Sequence, residues 1–316
     1  MPALCDHKGR PYDARCEKEN TVRVFWPITA YVSATKSNEA KGSVVSVVKF
    51  RGEDEVQEQD TILCETKDGV VRLVLSNPAR HNVITRRMLH ALEESLARIE
   101  SNHAARVVLL EAAANRFFSA GADVREWSAL SPQDMGRSWI REGNRLFQRL
   151  AQLDAVVICV MAGDALGGGL ELAADVRLAA DGVRLGFPEV GIGAIPGWLG
   201  CARLQELVGP GRARQLILTG EPVEASKAER WGLVNEVIPR QDLRARTQEL
   251  AGHILARSPV AVSVAKRVLN AGLDADRFGG LHELAATVCL ASSDAAEGLA
   301  AFREKRPPNF PTGTPR

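Results

Sequence analysis

The stretch that decides the fold is VMAGDALGGGLELAADVRLAADGVRLGFPE, residues 160–189. The apolar residues 156–160 predict a buried strand, which ends ahead of three successive glycines at positions 167–169. A strand that runs through a glycine turn into a short helix can present bare N–H groups to a ligand, because glycine accepts positive φ and has no Cβ. The pattern therefore predicts a place where an oxyanion is stabilised.

Two carboxylates flank this turn. Glu171 follows Gly168 by about one helical turn, so its side chain is expected on the face that carries the Gly168 N–H group. Glu189 lies in a tight turn after a predicted strand at residues 176–180. Two acids beside a polarising N–H group are the parts that proton transfer next to a carbonyl requires. A triple glycine alone is also typical of an ordinary loop, so the interpretation depends on its context.

The context is a set of motifs in a fixed order. They are FFSAGADVRE (117–126), GDALGGGLELA (163–173), FPEVGIGAIPGWLG (187–200), LTGEPVEASKAERWGLVNEVIP (218–239) and FREKRPPNF (302–310). In this order and spacing they resemble the enoyl-CoA hydratase/isomerase (crotonase) family over residues 61–310. Alternating strand and helix patterns predict an α/β fold. The resemblance adds its form, a spiral of ββα turns followed by a helical C-terminal region.

The resemblance also implies a reaction. It assigns the oxyanion hole to the amides of Gly168 and Ala122, the activation of water to Glu171, and delivery of the α proton to Glu189. A chain with both acids is expected to be an enoyl-CoA hydratase, which converts trans-2-enoyl-CoA to 3-hydroxyacyl-CoA. The alternatives are a Δ3,Δ2-enoyl-CoA isomerase that uses one glutamate and a non-catalytic or RNA-binding homologue.

Two departures from the family pattern stand out. The two glutamates are 18 positions apart. That link is about two residues shorter than is usual in the family, and two residues of α-helix correspond to about 200° of rotation. Asp164 occupies a position where an apolar or aromatic residue is common.

Further residues are assigned to substrate binding by the same resemblance. Arg80 and Lys305 are expected near the phosphates of CoA, with Lys305 acting across a subunit boundary and Phe302 beside it. The remaining predicted contacts are Ala120, Gly121, Asp123, Gly167 and Trp198. An aromatic residue such as Trp198 is equally typical of plain core.

Composition narrows the function classes. The chain has 40 basic and 39 acidic residues and a formal net charge of +1, so no overall field favours nucleic acid or an anionic membrane. The 6 cysteines are scattered without metal-ligand spacing, which predicts reduced thiols and no metal site. CoA is expected as part of the substrate, with no separate cofactor. The chain lacks the roughly 18-residue apolar run of a membrane helix and an N-terminal signal pattern, so a cytoplasmic location is expected.

The pattern divides the chain into three parts. Residues 1–60 show little periodicity and are predicted to be a disordered or loosely attached extension. The family resemblance implies that residues 61–250 form the spiral core and that residues 251–316 form a helical region that builds a homotrimer or homohexamer. Predicted helices include one after a Thr85 N-cap, one at about 134–150, and four near 242–257, 260–273, 277–291 and 294–305.

Overall fold

The computed structural model of the chain describes residues 60–113, 116–271 and 275–310. Apart from its last residue, the predicted extension at 1–60 lies outside the described residues. Two sheets and ten α-helices make up the described part, with three turns of 3₁₀-helix and one π-helical turn. The α/β fold class is confirmed.

The strands form one sheet of six and one of four. The larger sheet has the order β1 (Thr61–Lys67), β2 (Val70–Ser76), β3 (Val107–Ala112), β5 (Val156–Met161), β7 (Val176–Ala180) and β10 (Glu236–Ile238). The smaller sheet has the order β4 (Phe117–Ser119), β6 (Asp164–Leu166), β8 (Arg184–Gly186) and β9 (Val223–Glu224). The β1–β2 and β8–β9 pairs are antiparallel, and the other pairs are parallel.

Successive strands alternate between the two sheets. The chain places β3, β5 and β7 in the larger sheet and follows them with β4, β6 and β8 in the smaller one. Equivalent strands of successive turns pair in parallel, so the turns stack as the spiral that the family resemblance implies. Because parallel strands end at the same edge of a sheet, the segments that leave β4, β6 and β8 emerge side by side.

The helices are α1 (Arg86–Ser101), α2 (Val124–Trp127), α3 (Pro132–Asp134), α4 (Arg141–Ala151), α5 (Gly200–Thr219), α6 (Ala225–Arg230), α7 (Leu243–Leu255), α8 (Pro259–Asn270), α9 (Ala275–Leu290) and α10 (Ser293–Glu304). Helix α1 begins as predicted, since the Thr85 Oγ1 atom accepts a hydrogen bond from the Met88 N–H group at 3.1 Å. The last four helices agree with the predicted ranges to within a few residues. None of the helices in the described ranges is long and apolar enough to cross a membrane.

Two predicted elements differ in detail. The helix expected at 134–150 is interrupted, because a π-helical turn at Met135–Ile140 separates α3 from α4. This turn carries Trp139, which is 1% exposed and lies in the core. The apolar and β-branched residues of LVNEVI, 233–238, predict one strand, but only β10 forms, and Leu233 and Val234 are buried in the turn before it.

Candidate active site

The glycine turn leaves β6 in the left-handed conformation that its sequence predicts. Gly167, Gly168 and Gly169 have φ values of 71°, 72° and 64°. Side chains rarely adopt this region, so three glycines in succession are what the backbone requires here. Gly167 continues the pairing of β6 with β8, since its N–H group donates to the Gly186 carbonyl at 2.8 Å.

The helix predicted after these glycines is a single 3₁₀ turn, Leu170–Ala173. It is closed by the Leu172 N–H group, which donates to the Gly169 carbonyl at 3.1 Å, and Ala174 is already extended. The chain therefore enters β7 without completing an α-helix. The short link between the two glutamates is accommodated in this way, and the 200° rotation expected for a shortened α-helix does not arise.

A second N–H group faces the glycine turn. The Ile84 N–H group donates to the Gly121 carbonyl at 2.8 Å, and the Asp123 N–H group donates to the Ile84 carbonyl at 2.9 Å. Because successive N–H groups of extended backbone point to opposite sides, the Ala122 N–H group points away from Ile84. A Cβ atom built on Gly168 would lie 3.6 Å from the Ala122 nitrogen. The two predicted oxyanion-hole amides are therefore neighbours.

The Glu189 side chain lies against the Gly168 amide of this pair. Its Oε1 atom accepts a hydrogen bond from the Gly168 N–H group at 2.9 Å, and a Cβ atom at Gly167 would lie 3.0 Å from the same oxygen. A carboxylate oxygen thus accepts from the N–H group that is predicted to bind the thioester oxygen. For the Ala122 N–H group, no acceptor is found within the described part of the chain.

Glu171 lies below the same turn in a buried position. Its side chain is 1% exposed, and its Oε1 atom is buried without a hydrogen-bond partner among the described residues. The Oε2 atom of Glu189 is likewise buried and unpartnered in that part of the chain. Buried polar atoms in native proteins are usually hydrogen-bonded, so two orphan carboxyl oxygens at one site indicate groups that bind a ligand or water.

Burial controls the acidity of both groups. The pKa of Glu171 is raised to about 7, chiefly by burial and to a smaller extent by the nearby charge of Glu189, while a backbone hydrogen bond and Arg177 act in the opposite direction. Burial also raises the pKa of Glu189, while the hydrogen bond from Gly168 lowers it. The two acids are therefore electrostatically coupled. A strongly perturbed carboxyl pair is typical of a functional site.

One residue of this environment was missed by the sequence analysis. Arg177 on β7 is 4% exposed and donates to the Ala174 carbonyl at 2.6 Å and the Leu233 carbonyl at 2.8 Å. It thereby holds the end of the 3₁₀ turn that carries Glu171. The available signal was a lone arginine in the otherwise apolar run of residues 176–180.

Arg80 and Asp123, both predicted to contact substrate, lie together. The Arg80 guanidinium donates to the Asp123 carboxylate, which also accepts from the Arg125 N–H group at the start of α2. Ala120 and Gly121 are on the same loop, between β4 and the Ala122 amide. The substrate contacts themselves stay predictions.

Trp198 occupies a core position. It is 1% exposed, its ring lies 5.4 Å from that of Trp139 and 5.0 Å from that of Phe147, and its Nε1 atom donates to the Trp139 carbonyl. The sequence leaves two interpretations open, a substrate contact or a core residue, and this burial is that of a core residue. A direct contact with an acyl chain stays a prediction.

Phe302 and Lys305 are at the end of α10. Phe302 is 83% exposed and Lys305 follows the helix in a left-handed conformation. Helix α10 packs on α8 and α9. In a single chain the structure does not bring these two residues to the glycine turn, so their predicted role depends on a second subunit.

Comparison with known proteins points to the same family that the sequence motifs resemble. Residues 65–313 match the family model described as "Enoyl-CoA hydratase/isomerase". A crotonyl-CoA hydratase of Syntrophomonas wolfei is 34% identical over 79% of this chain and 98% of its own length. A short-chain-enoyl-CoA hydratase of Clostridium acetobutylicum is 35% identical over 79% of this chain and 97% of its own length.

Solved structures show the same similarity. An enoyl-CoA hydratase from Bacillus anthracis aligns with a TM-score of 0.76 and 33% identity, covering 81% of this chain and all of that chain (100%). One from Geobacillus kaustophilus aligns with a TM-score of 0.78 and 28% identity, covering 82% of this chain and 98% of its own.

Proposed function

Because this chain belongs to the enoyl-CoA hydratase/isomerase family, we propose that it hydrates a trans-2-enoyl-CoA to the 3-hydroxyacyl-CoA. The observation that carries the proposal is the meeting of four groups at one edge of the smaller sheet. They are the amides of Ala122 and Gly168 and the carboxyls of Glu171 and Glu189. An isomerase would need only one of the two acids.

The proposed reaction begins when the thioester oxygen takes the place of Glu189 on the Gly168 N–H group. This displacement removes a hydrogen bond that lowers the pKa of Glu189, so Glu189 holds a proton more readily. The proton that the coupled pair shares then moves toward Glu189 and leaves Glu171 as the carboxylate base. A substrate that binds thereby prepares both acids for the reaction.

Addition of water follows from this arrangement. Glu171 accepts a proton from water while the water oxygen forms a bond to the β carbon of the enoyl group. The electron pair of the double bond passes through the α carbon to the thioester oxygen, where the Ala122 and Gly168 N–H groups stabilise the negative charge. Glu189 then gives its proton to the α carbon. One proton has moved from Glu189 to the product and one from water to Glu171.

Further parts of the proposal come from the family resemblance. The substrate is an acyl-CoA thioester whose phosphates contact Arg80 and Lys305, and no metal or redox cofactor takes part. The assembly is a homotrimer or homohexamer in the cytoplasm. In support of an assembly, the C-terminal helices expose large apolar side chains: Leu269, Leu284, Val288, Leu290 and Leu299.

The absorbance of crotonyl-CoA tests the reaction. Addition of water removes the conjugated band, so we expect the band to decay in the presence of the native chain and 3-hydroxybutyryl-CoA to accumulate. A 3-enoyl-CoA offered in parallel distinguishes the alternative, since an isomerase would increase the same band. A chain that leaves crotonyl-CoA unchanged but isomerises the 3-enoyl-CoA would contradict the hydratase proposal. An RNA-binding homologue would turn over neither compound.

The pH profile tests the shared proton. Hydration and its reverse both require one proton on the glutamate pair, so kcat/KM is expected to be bell-shaped. Its alkaline limb reports loss of the last proton, and with the pKa of Glu171 raised to about 7, kcat/KM should fall as pH rises through that value. Initial rates with crotonyl-CoA from about pH 5 to 9 measure this. A kcat/KM value that still increases above about pH 8 would contradict the assignment.

A further inference from the structure

Asp164, which departs from the family pattern, connects β6 to β8 through its side chain, while its backbone N–H group pairs with the chain just before β4. It lies on β6 and is 7% exposed. Its Oδ1 atom accepts from the Arg184 N–H group of β8 at 2.9 Å, and its Oδ2 atom accepts from the Arg184 side chain at 3.2 Å (Nε) and 2.8 Å (Nη2). On the other side, the Asp164 N–H group donates to the Arg116 carbonyl just before β4 at 2.9 Å.

Each of these three strands ends at one part of the active site. The chain passes from β4 to the Ala122 amide, from β6 to the Gly168 amide, and from β8 to Glu189. Pairing between β6 and β8 is brief, with two registered residue pairs. The contacts between Asp164 and Arg184 therefore add a third connection between β6 and β8. This connection lies where the two strands begin, at the end of the sheet opposite the active site.

We propose that Asp164 and Arg184 are a positioning pair, which fixes the Gly168 amide after β6 relative to Glu189 after β8. The inference rests on the proposed function of that site. The Arg184 side chain is 36% exposed, and a partly exposed ion pair contributes little to global stability. Its larger effect is geometric, because a displacement of about 1 Å at reacting groups can reduce the rate by about 100-fold.

Two conservative substitutions test the pair. Asp164→Asn keeps the size of the side chain and removes its charge, and Arg184→Lys keeps the charge and removes the two-pronged contact. For each we expect kcat with crotonyl-CoA to fall by about tenfold while KM stays within about twofold. The loss of kcat in the double variant should be no greater than that of the more impaired single variant, because both changes break one connection.

A second readout follows the oxyanion hole without turnover. The absorption band of a cinnamoyl-CoA moves to longer wavelength when its carbonyl is polarised, so the shift on binding reports how well the two amides are aimed. We expect a smaller shift in both variants than in the native chain. This measurement also separates the two proposals, since a chain without hydratase activity that still shows these differences would disprove the proposed function alone.

The more exposed ion pair between Asp154 and Arg267 provides a control of the same type. It has the same two-pronged geometry, with two contacts of 2.7 Å, and connects α8 to the turn before β5. Asp154→Asn and Arg267→Lys should leave kcat and the spectral shift unchanged. If the Asp164 and Arg184 variants fold and behave like these controls, or lose only thermal stability, the pair has no positioning role. If Asp164→Asn fails to fold, Arg184→Lys decides the question.

Discussion

Replacing Glu171 with glutamine is expected to reduce kcat for hydration by about 100- to 10,000-fold, the range typical of losing a general acid or base. Glutamine has nearly the same shape but cannot accept a proton from water. The side chain is 1% exposed, so bulk solvent has little access to replace it as a base. Binding of a saturated acyl-CoA, measured by calorimetry, should change little because the oxyanion amides remain.

An exposed glutamate provides the control for this substitution. Glu206 lies on the surface of α5, so Glu206→Gln removes the same charge without touching the site. It should retain native kcat and KM. If Glu171→Gln loses less than about tenfold in kcat, Glu171 is not the base and the proposed division of roles fails.

Replacing Gly168 with alanine is expected to lower kcat by about 100-fold or more, which is the effect of losing one oxyanion-hole donor. The residue has φ of 72°, and an added Cβ would lie 3.3 Å from the Gly121 Cα and 3.6 Å from the Ala122 nitrogen. The new methyl group would therefore push the two turns apart and misdirect both amides. Steady-state rates with crotonyl-CoA measure the loss.

Gly182→Ala separates crowding from backbone strain. Gly182 has φ of 73°, almost the same as Gly168, but a Cβ built there meets nothing within 4 Å. Both variants bear the strain of a left-handed alanine, and only the Gly168 variant disturbs the neighbouring turn. We expect Gly182→Ala to lose some stability and no kcat. Equal loss of kcat in the two variants would assign the effect to strain, against an oxyanion role for Gly168.

The sequence predicts the glycine turn better than the sheet that carries it. The glycine turn was found because three consecutive glycines follow a predicted strand and stand among motifs in a fixed order, and all three glycines have positive φ in the structure. The larger sheet was also largely predictable, since residues 70–75 and 156–160 are long enough to show a strand pattern. Strands β4, β6 and β8 have three residues each, too few for a period of two to be recognised.

Other features depended on distant partners. Trp198 is buried because Gly143 on α4 leaves room for it, and a Cβ at Gly143 would lie only 2.1 Å from the indole ring. Because Gly143 is far from Trp198 in the sequence, the residues around Trp198 do not predict its burial. The contact of Asp164 with Arg184 is similar, because the two residues are 20 positions apart and only the stacked turns of the spiral bring them together.

The buried carboxyl of Glu171 links catalytic competence to resistance against unfolding. In an unfolded chain its pKa would be near the ordinary value of 4.5, whereas the folded protein holds the proton up to about pH 7. Between these values the folded state binds more protons, so its free energy of unfolding declines as the medium becomes more alkaline. Heat inactivation should therefore accelerate as the pH is raised from about 4.5 to about 7, and a bound acyl-CoA should slow it again.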